Sequence, residues 1–306
     1  MTDATPVAHS QLSPPQLARL STDALGEVWH GVESCRAGEF DGICFRVDDN
    51  VLYGTVDVEE GDFAAGGPMP LQHATESAYR RIFALLDRHG YPHLWRTWNY
   101  LADINAVRDG LERYRQFNIG RHDAFVASGR LARGNVPAAC ALGTTSGPLT
   151  IAFMAGRAAP TPIENPRQVS AYDYPASYGP RSPTFSRAAF ARLPGQELLF
   201  VSGTASIVGH RTLHVGDIDG QTRETVANIA ALLESANRQA LAAPYTLAGL
   251  RYRAYLRRAD DYPRVQGILE QLLGTGASVV HVQADICRAD LLVEIEAMAS
   301  HAMGNC

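Results

Sequence analysis

The stretch ADICRADLLVEIEA, residues 284 to 297, decides how the C-terminal part of this 306-residue chain is read. Its length and apolar content suit a buried strand, yet it carries Cys287, Glu294 and Glu296. Side chains alternate between the faces of an extended segment, so Val293, Ile295 and Ala297 share one face while Leu292, Glu294 and Glu296 share the other. One carboxylate on such a strand reaches water; two on one face raise a question about chemistry.

Working back from that stretch, the second half reads as a strand QELLFVSGTASIVG, a helix TRETVANIAALLESANRQAL, a strand LRYRAYLRRADD, a helix YPRVQGILEQLLG and a final hairpin ASVVHVQADICRADLLVEIEAMA. The first half follows the same order. It opens with the hairpin FDGICFRVDDNVLYGTVDVEEG, turning at Asp48, Asp49 and Asn50. In LQHATESAYRRIFALLDRHG, Ala78, Ile82, Leu85 and Leu86 recur at helical spacing and Gly90 closes the segment. The strand HLWRTWNYLADIN follows, then a second helix around residues 106 to 117, then VPAACALGTT and PLTIAFMAGR as an antiparallel ribbon. Two copies of β, α, β, α, β, β are implied, with weak identity such as LWRTWNYLADI beside LRYRAYLRRAD. The expected organisation is an arm over residues 1–40, a first half over 41–160, a Pro- and Tyr-rich connection over 161–195 and a second half over 196–306. Connections of that length are often functional.

At 46% hydrophobic and 19% charged, the chain is long enough to bury a sizeable core. The net charge of −5 comes without long like-charge runs, which argues against a basic nucleic-acid-binding face. No apolar run approaches the roughly 20 residues of a membrane span, and the first residues lack a basic region followed by an apolar one, so a cytoplasmic protein without membrane partners is expected. Cys35, Cys44, Cys140, Cys287 and Cys306 are scattered, with no CxxC pair, and read as free thiols. HExxH, GxGxxG and GxxxxGK[ST] are all missing, so neither a metal nor a nucleotide cofactor is expected.

VSGTASIVGH, the helix containing DGQTRETVANIAALLE, and ADICRADLLVEIEA together resemble the chorismatase family, whose second half is similar to RidA/YjgF proteins; YRQFNIGRHDAF in the first half is a further block of the same kind. The likeness runs from about residue 40 to residue 300. It implies an α+β fold of two RidA/YjgF-like, chorismate-mutase-like β-sheet halves with helices on one face. It also implies a cofactor-independent enzyme that removes pyruvate from chorismate. RidA-like folds host several activities, so fold alone would not carry that expectation.

Chorismate is a dianion with an enolpyruvyl ether. Its site needs two cationic anchors and a proton for the methylene carbon, and arginine suits each carboxylate because its planar fork donates two parallel hydrogen bonds. By resemblance Arg121 is one anchor, with Tyr114 as a neutral donor; the alternative is that Arg121 caps a helix or pairs at the surface. On LRYRAYLRR, Arg251, Arg253, Tyr255 and Arg257 share a face, which is either solvated or, beside the Glu294 strand, supplies Arg253 or Arg257 as the second anchor. Glu294 matches the cleft glutamate of RidA-like strands and is the expected proton donor, provided burial keeps it protonated; otherwise it forms a buried pair with one of the arginines. The corresponding first-half strand has Thr150 and Ile151 at that place, so one site per chain is expected.

No neighbouring histidine activates Cys287, and a free cysteine is most often a small buried hydrophobe. The resemblance gives it a second job, shaping the pocket as in chorismatases that make hydroxybenzoate. Ala205 points instead to hydrolytic members that keep a dihydroxycyclohexadiene acid. Tyr174 and Tyr178 in the connection each could present a phenol, one as ligand and one as packing. The expected products are therefore pyruvate and 3-hydroxybenzoate, with some 4-hydroxybenzoate; the alternative is the hydrated diene 3,4-dihydroxycyclohexa-1,5-diene-1-carboxylate. A rival imine deaminase lacks its carboxylate-binding arginine on VVHVQAD, and a noncatalytic metabolite-binding protein is the reading of another class. Oligomeric state is left open.

Overall fold

The computed structural model describes residues 18–20, 35–131 and 136–303. Most of the expected N-terminal arm, and Cys306, lie outside the described residues.

The first part of the chain forms β1 (Arg36–Phe40), β2 (Ile43–Val47), β3 (Val51–Val58), α1 (Pro70–His89), β4 (His93–Ala102), the short strands β5 (Val107–Arg108) and β6 (Leu111–Glu112), α2 (Arg113–Ala127), β7 (Ala138–Thr144) and β8 (Leu149–Gly156). The second part forms β9 (Thr161–Ile163), β10 (Ala188–Leu193), β11 (Gln196–Ala205), the short pair β12 (Ile207–Val208) and β13 (Arg211–Thr212), α3 (Ile218–Asn237), β14 (Arg251–Leu256), α4 (Tyr262–Leu273), β15 (Ser278–Gln283), β16 (Asp285–Ile286) and β17 (Val293–Ala302). Local chemistry sets the helix ends. Pro70 occupies the first turn of α1, where its missing N–H costs no helical bond, and Gly90 stops the helix with φ of 74°. Asp217 caps α3 by accepting from the Asp219 N–H.

One sheet runs in the order β1-β2-β3-β8-β4-β7-β16 and the other β15-β14-β17-β11-β10-β9. Within each, the strand before the first helix, the last long strand, and the two strands flanking the second helix fall in the same order, β3-β8-β4-β7 against β11-β17-β14-β15. The duplicated element pattern is thus also a duplicated topology. Thr150 of β8 lies opposite Asp57 and Tyr100, just as Glu294 of β17 lies opposite Ala205 and Tyr255.

The faces of each sheet bury different things. Ile82, Phe83, Phe117 and Phe125 of α1 and α2 pack with Ile151 and Phe153 on the first sheet. Val226, Ile229 and Leu269 of α3 and α4 pack with Val201, Tyr252 and Ile295 on the second. The opposite faces meet each other through Trp98, Tyr100, Cys140, Met154, Leu198, Phe200 and Tyr255, giving layers in the order helix, sheet, sheet, helix. Polar contacts also cross that middle layer: the Ala139 N–H donates to Ser202 Oγ at 2.9 Å, Arg96 Nη1 donates to the Val201 carbonyl at 3.1 Å, and Arg96 pairs with Glu296.

Three expectations change. The second helix is Arg113–Ala127, not 106–117, and part of that span is the β5–β6 hairpin. Arg113, Gln116, Asn118 and Arg121 are buried in α2 beside Phe117, Ala124 and Phe125, so its buried residues mix polar with apolar and the apolar period that would mark it is absent. VPAACALGTT and PLTIAFMAGR do not pair as a ribbon, because β4 lies between them, parallel to β7 and antiparallel to β8. The final hairpin is likewise split: β15 and β17 flank β14, and β16 leaves the second sheet to pair with β7, Asp285 opposite Gly143 and Ile286 opposite Leu142. Strand–helix–strand crossovers make parallel neighbours, and hydrophobic periodicity does not say which strand comes to lie between them. The connection also contributes β9 and ends in β10, both strands of the second sheet.

Candidate active site

The crossing of β16 into the first sheet brings the following turn, Cys287 to Asp290, to the seam between the halves. There it closes a cavity of about 310 Å³, within the roughly 300–1,000 Å³ common for small-molecule sites. The start of α2 supplies Tyr114 and Arg115, the connection supplies Tyr174, Tyr178 and Arg187, β11 supplies Gly203 and Ala205, and the turn and β17 supply Cys287, Arg288 and Glu294.

Glu294 and Glu296 leave β17 on the face that meets the first sheet, and both are buried. Their surroundings differ. Glu296 Oε1 accepts from Arg253 Nη1 at 2.8 Å and from the Tyr255 hydroxyl at 2.9 Å, and its Oε2 pairs with Arg96. Burial alone would raise its carboxyl, but Arg96 and Arg253, with Tyr255 and Cys140 donating, hold it below the usual carboxylate range. Among the described residues, the hydrogen-bond partner of Glu294 is the Cys287 thiol, 3.8 Å from Oε2. Burial, reinforced by the Glu296 charge, pushes its carboxyl up to about 8. The two carboxyls are thus driven in opposite directions, Glu296 towards a charged ion pair and Glu294 towards the neutral form.

Space for the Glu294 carboxyl comes from Gly203. A Cβ at that position would lie 2.0 Å from Glu294 Oε1, and the β11–β17 register shifts between Val201 and Thr204 around it. The signal was present in the sequence as a glycine inside a strand, which marks a bulge or a close approach. Ala205 faces Glu294 across the strand pair. With Ile207, Ile286 and Leu291 it forms a small apolar cluster against which Cys287 packs, so the two residues with opposed product expectations share one wall. Burial, then the Glu294 charge, pushes the Cys287 thiol up, and burial does the same to the Tyr114 phenol; both stay neutral.

The expected arginines fall elsewhere. Arg253 is engaged with Glu296. Arg257 pairs with Asp285 at 2.5 Å and donates to the carbonyls of Leu291, Ile286 and Arg288, so it pins the Cys287 turn rather than facing the cavity. Arg121 is neither a surface residue nor part of the cavity lining. Only 2% exposed, it lies 5.3, 6.0 and 5.8 Å from the ring centroids of Tyr79, Phe117 and Phe125. The cations that do line the cavity, Arg115, Arg187 and Arg288, occur singly in the sequence and carried no pattern. Arg187 is buried, donates from Nη2 to the Tyr174 hydroxyl at 2.8 Å and to the Val169 carbonyl at 2.6 Å, and has no acceptor for Nε among the described residues. Arg288 lies 4.2 and 5.2 Å over the rings of Tyr178 and Tyr174, donates from Nη1 to the His210 carbonyl at 2.9 Å, and leaves its buried Nη2 without an acceptor among the described residues. Tyr174 therefore positions both cations, and Tyr178 stacks on Arg288 while its hydroxyl lies 3.2 Å from His210 Nδ1. A guanidinium on a cavity wall is a charged planar donor that suits a carboxylate.

Among the described residues no group of three or more His, Cys, Asp or Glu side chains is arranged to hold a metal ion, and no helix is long and apolar enough to cross a membrane.

Comparison with known proteins agrees with this geometry. Residues 27–155 match the family described as "Chorismatase FkbO/Hyg5-like, N-terminal". A chorismatase of Streptomyces rapamycinicus is 39% identical over 285 residues, covering 91% of this chain and 83% of that protein. A 3-hydroxybenzoate synthase of Streptomyces hygroscopicus is 38% identical over 290 residues, covering 90% and 82%. A chorismatase crystal structure superposes with a TM-score of 0.79 at 38% identity, covering 86% of this chain and 78% of that one. Fold, cavity and relatives agree that this chain belongs to the chorismatase family.

Proposed function

We propose that this protein cleaves chorismate with release of pyruvate, Glu294 protonating the enolpyruvyl methylene. The observation that carries the reading is the state of Glu294: a carboxyl on the wall of a cavity of suitable size, largely protonated at neutral pH. A bound dianion raises that carboxyl further, so substrate and acid favour each other. Arg187 and Arg288, which line the cavity, are assigned to the two carboxylates, and Arg115 supplements them. Protonation leaves an oxocarbenium-like ether carbon. Capture by water gives pyruvate and the hydrated diene; capture by the substrate's own hydroxyl, followed by aromatisation, gives pyruvate and 3-hydroxybenzoate with no net uptake of water.

We assign 3-hydroxybenzoate as the main ring product, supported by Cys287 on the cavity wall and by the relative that bears that name. The test is incubation of purified protein with chorismate, a pyruvate assay and chromatography of the ring product. Aromatic acid in step with pyruvate supports the whole reading. A nonaromatic diene acid makes it a hydrolase, and no pyruvate makes it a binding protein.

A further inference from the structure

The ion pair of Glu296, the second β17 carboxylate, has had no part in the proposed reaction so far. Glu296 is 5% exposed and Arg96 2%. Their pair joins the halves, since Arg96 comes from β4 of the first sheet while Arg253 and Tyr255 come from β14 of the second. A buried ion pair is often no more stabilising than apolar side chains of the same volume. This one sits in a layer otherwise built from Trp98, Met154, Leu198 and Phe200, where apolar packing was available.

We propose that Glu296, fixed in its ionised form by Arg96 and Arg253, is a positioning residue that keeps the neighbouring Glu294 in its proton-carrying form. This rests on the reading of Glu294 as the acid. A permanent buried anion beside a second carboxyl disfavours a second charge, so the shared site titrates in two separated steps. The groups around Glu294 are Arg96 of β4, Cys140 of β7, Tyr255 opposite it on β14, Tyr114 of α2 and Cys287 of the turn; Arg115, Arg187, Arg288 and Glu112 line the same cavity, and Arg257 acts on Cys287. Burial pushes Cys140, Tyr114 and Cys287 up, so they stay neutral, and Arg96 acts against the effect of Glu296. Burial raises the carboxyl most, and the balance between Glu296 and Arg96 then adjusts the pH at which the acid is lost.

The test follows Glu294 by NMR in protein labelled with carbon-13 at the glutamate carboxyls, its resonance identified by loss in Glu294→Gln, alongside the pH profile of kcat/KM for chorismate. In Glu296→Gln the Glu294 midpoint and the alkaline limb move down together by about 1 pH unit or more, because Arg96 and Arg253 then act unopposed. In Glu296→Asp, which keeps the charge, both stay close to the parent values. In Arg253→Met, which strips a counterion from Glu296, both move up. A purely structural role lowers activity evenly at every pH and leaves the midpoint in place. An unmoved midpoint in Glu296→Gln overturns the proposal, and should that variant not fold, an unmoved midpoint in Arg253→Met does so. The NMR arm needs no turnover: a protein that releases no pyruvate while its Glu294 midpoint still follows Glu296 refutes the chorismate reading and leaves the coupling standing.

Discussion

Replacing Glu294 by glutamine separates chemistry from stability, because glutamine has the shape of the protonated carboxyl but no acidic proton. The carboxyl rises from 4.5 to about 8 on folding. The folded chain therefore holds this proton more tightly than the unfolded one. Folding carries no penalty from this group below about pH 4.5, loses stability as pH rises from there, and bears the full cost above about pH 8. At about 1.4 kcal/mol per pH unit the cost at neutral pH is on the order of 3 kcal/mol. Glutamine bears none of it. In thermal unfolding followed by calorimetry, the Tm of Glu294→Gln relative to the parent should rise steadily from about pH 5 to about pH 8, other titrating groups cancelling in the difference. Over the same range pyruvate release should fall by about 10²–10⁴-fold, as when a general acid is removed. The Kd for an unreactive dicarboxylate analogue should stay within about tenfold. A Tm difference that is flat with pH refutes the buried neutral acid, and turnover near the parent level refutes its role in proton transfer.

Gly203→Ala should drive the Glu294 carboxyl aside, since the new Cβ would meet Oε1 at 2.0 Å, and lower kcat by about tenfold to a hundredfold in steady-state kinetics; an unchanged kcat shows that the carboxyl has room to spare. Arg288→Ala should weaken binding of a dicarboxylate analogue by about 2–5 kcal/mol in titration calorimetry, the range for losing one partner of a desolvated charge pair, and an unchanged Kd removes Arg288 as an anchor. Cys287→Ala should alter product partition more than total pyruvate release, moving flux towards the dihydroxycyclohexadiene acid by chromatography, because the acid and the anchors remain in place. An unaltered product ratio assigns the choice to Ala205.

The order of elements and the duplicated pattern were legible because α1, α3 and α4 bury an apolar stripe, and stripes are visible in one dimension. Strand partners were not, since β4 and β14 each come to lie between segments adjacent in sequence, and their neighbours are set by crossovers. Glu294, Cys287, Ala205, Tyr114 and Tyr174 come together around one cavity, whereas Arg121, Arg253 and Arg257 do not line it. Three arginines on one strand face suggested an anion site, but that face points into the inter-sheet layer, where Glu296 is the anion for Arg253. Arg187 and Arg288 stand alone, one at the end of the connection and one in the turn after β16. Only the three-dimensional closure of those loops brings both against Tyr174.

The equivalence of Thr150 and Glu294 has a consequence for how such a cleft arises. When a cleft forms between identical chains, each residue on one wall is repeated by symmetry on another, and an acid introduced for catalysis is introduced everywhere. Joining two copies in one polypeptide breaks that symmetry. The first copy keeps Thr150, which donates a 2.5 Å hydrogen bond to Asp57, while the second alone carries the buried acid. A single unmatched carboxyl means that the destabilisation of a neutral acid is suffered once per chain rather than twice. It also leaves the facing wall free to diverge towards a ligand whose two ends are chemically unlike.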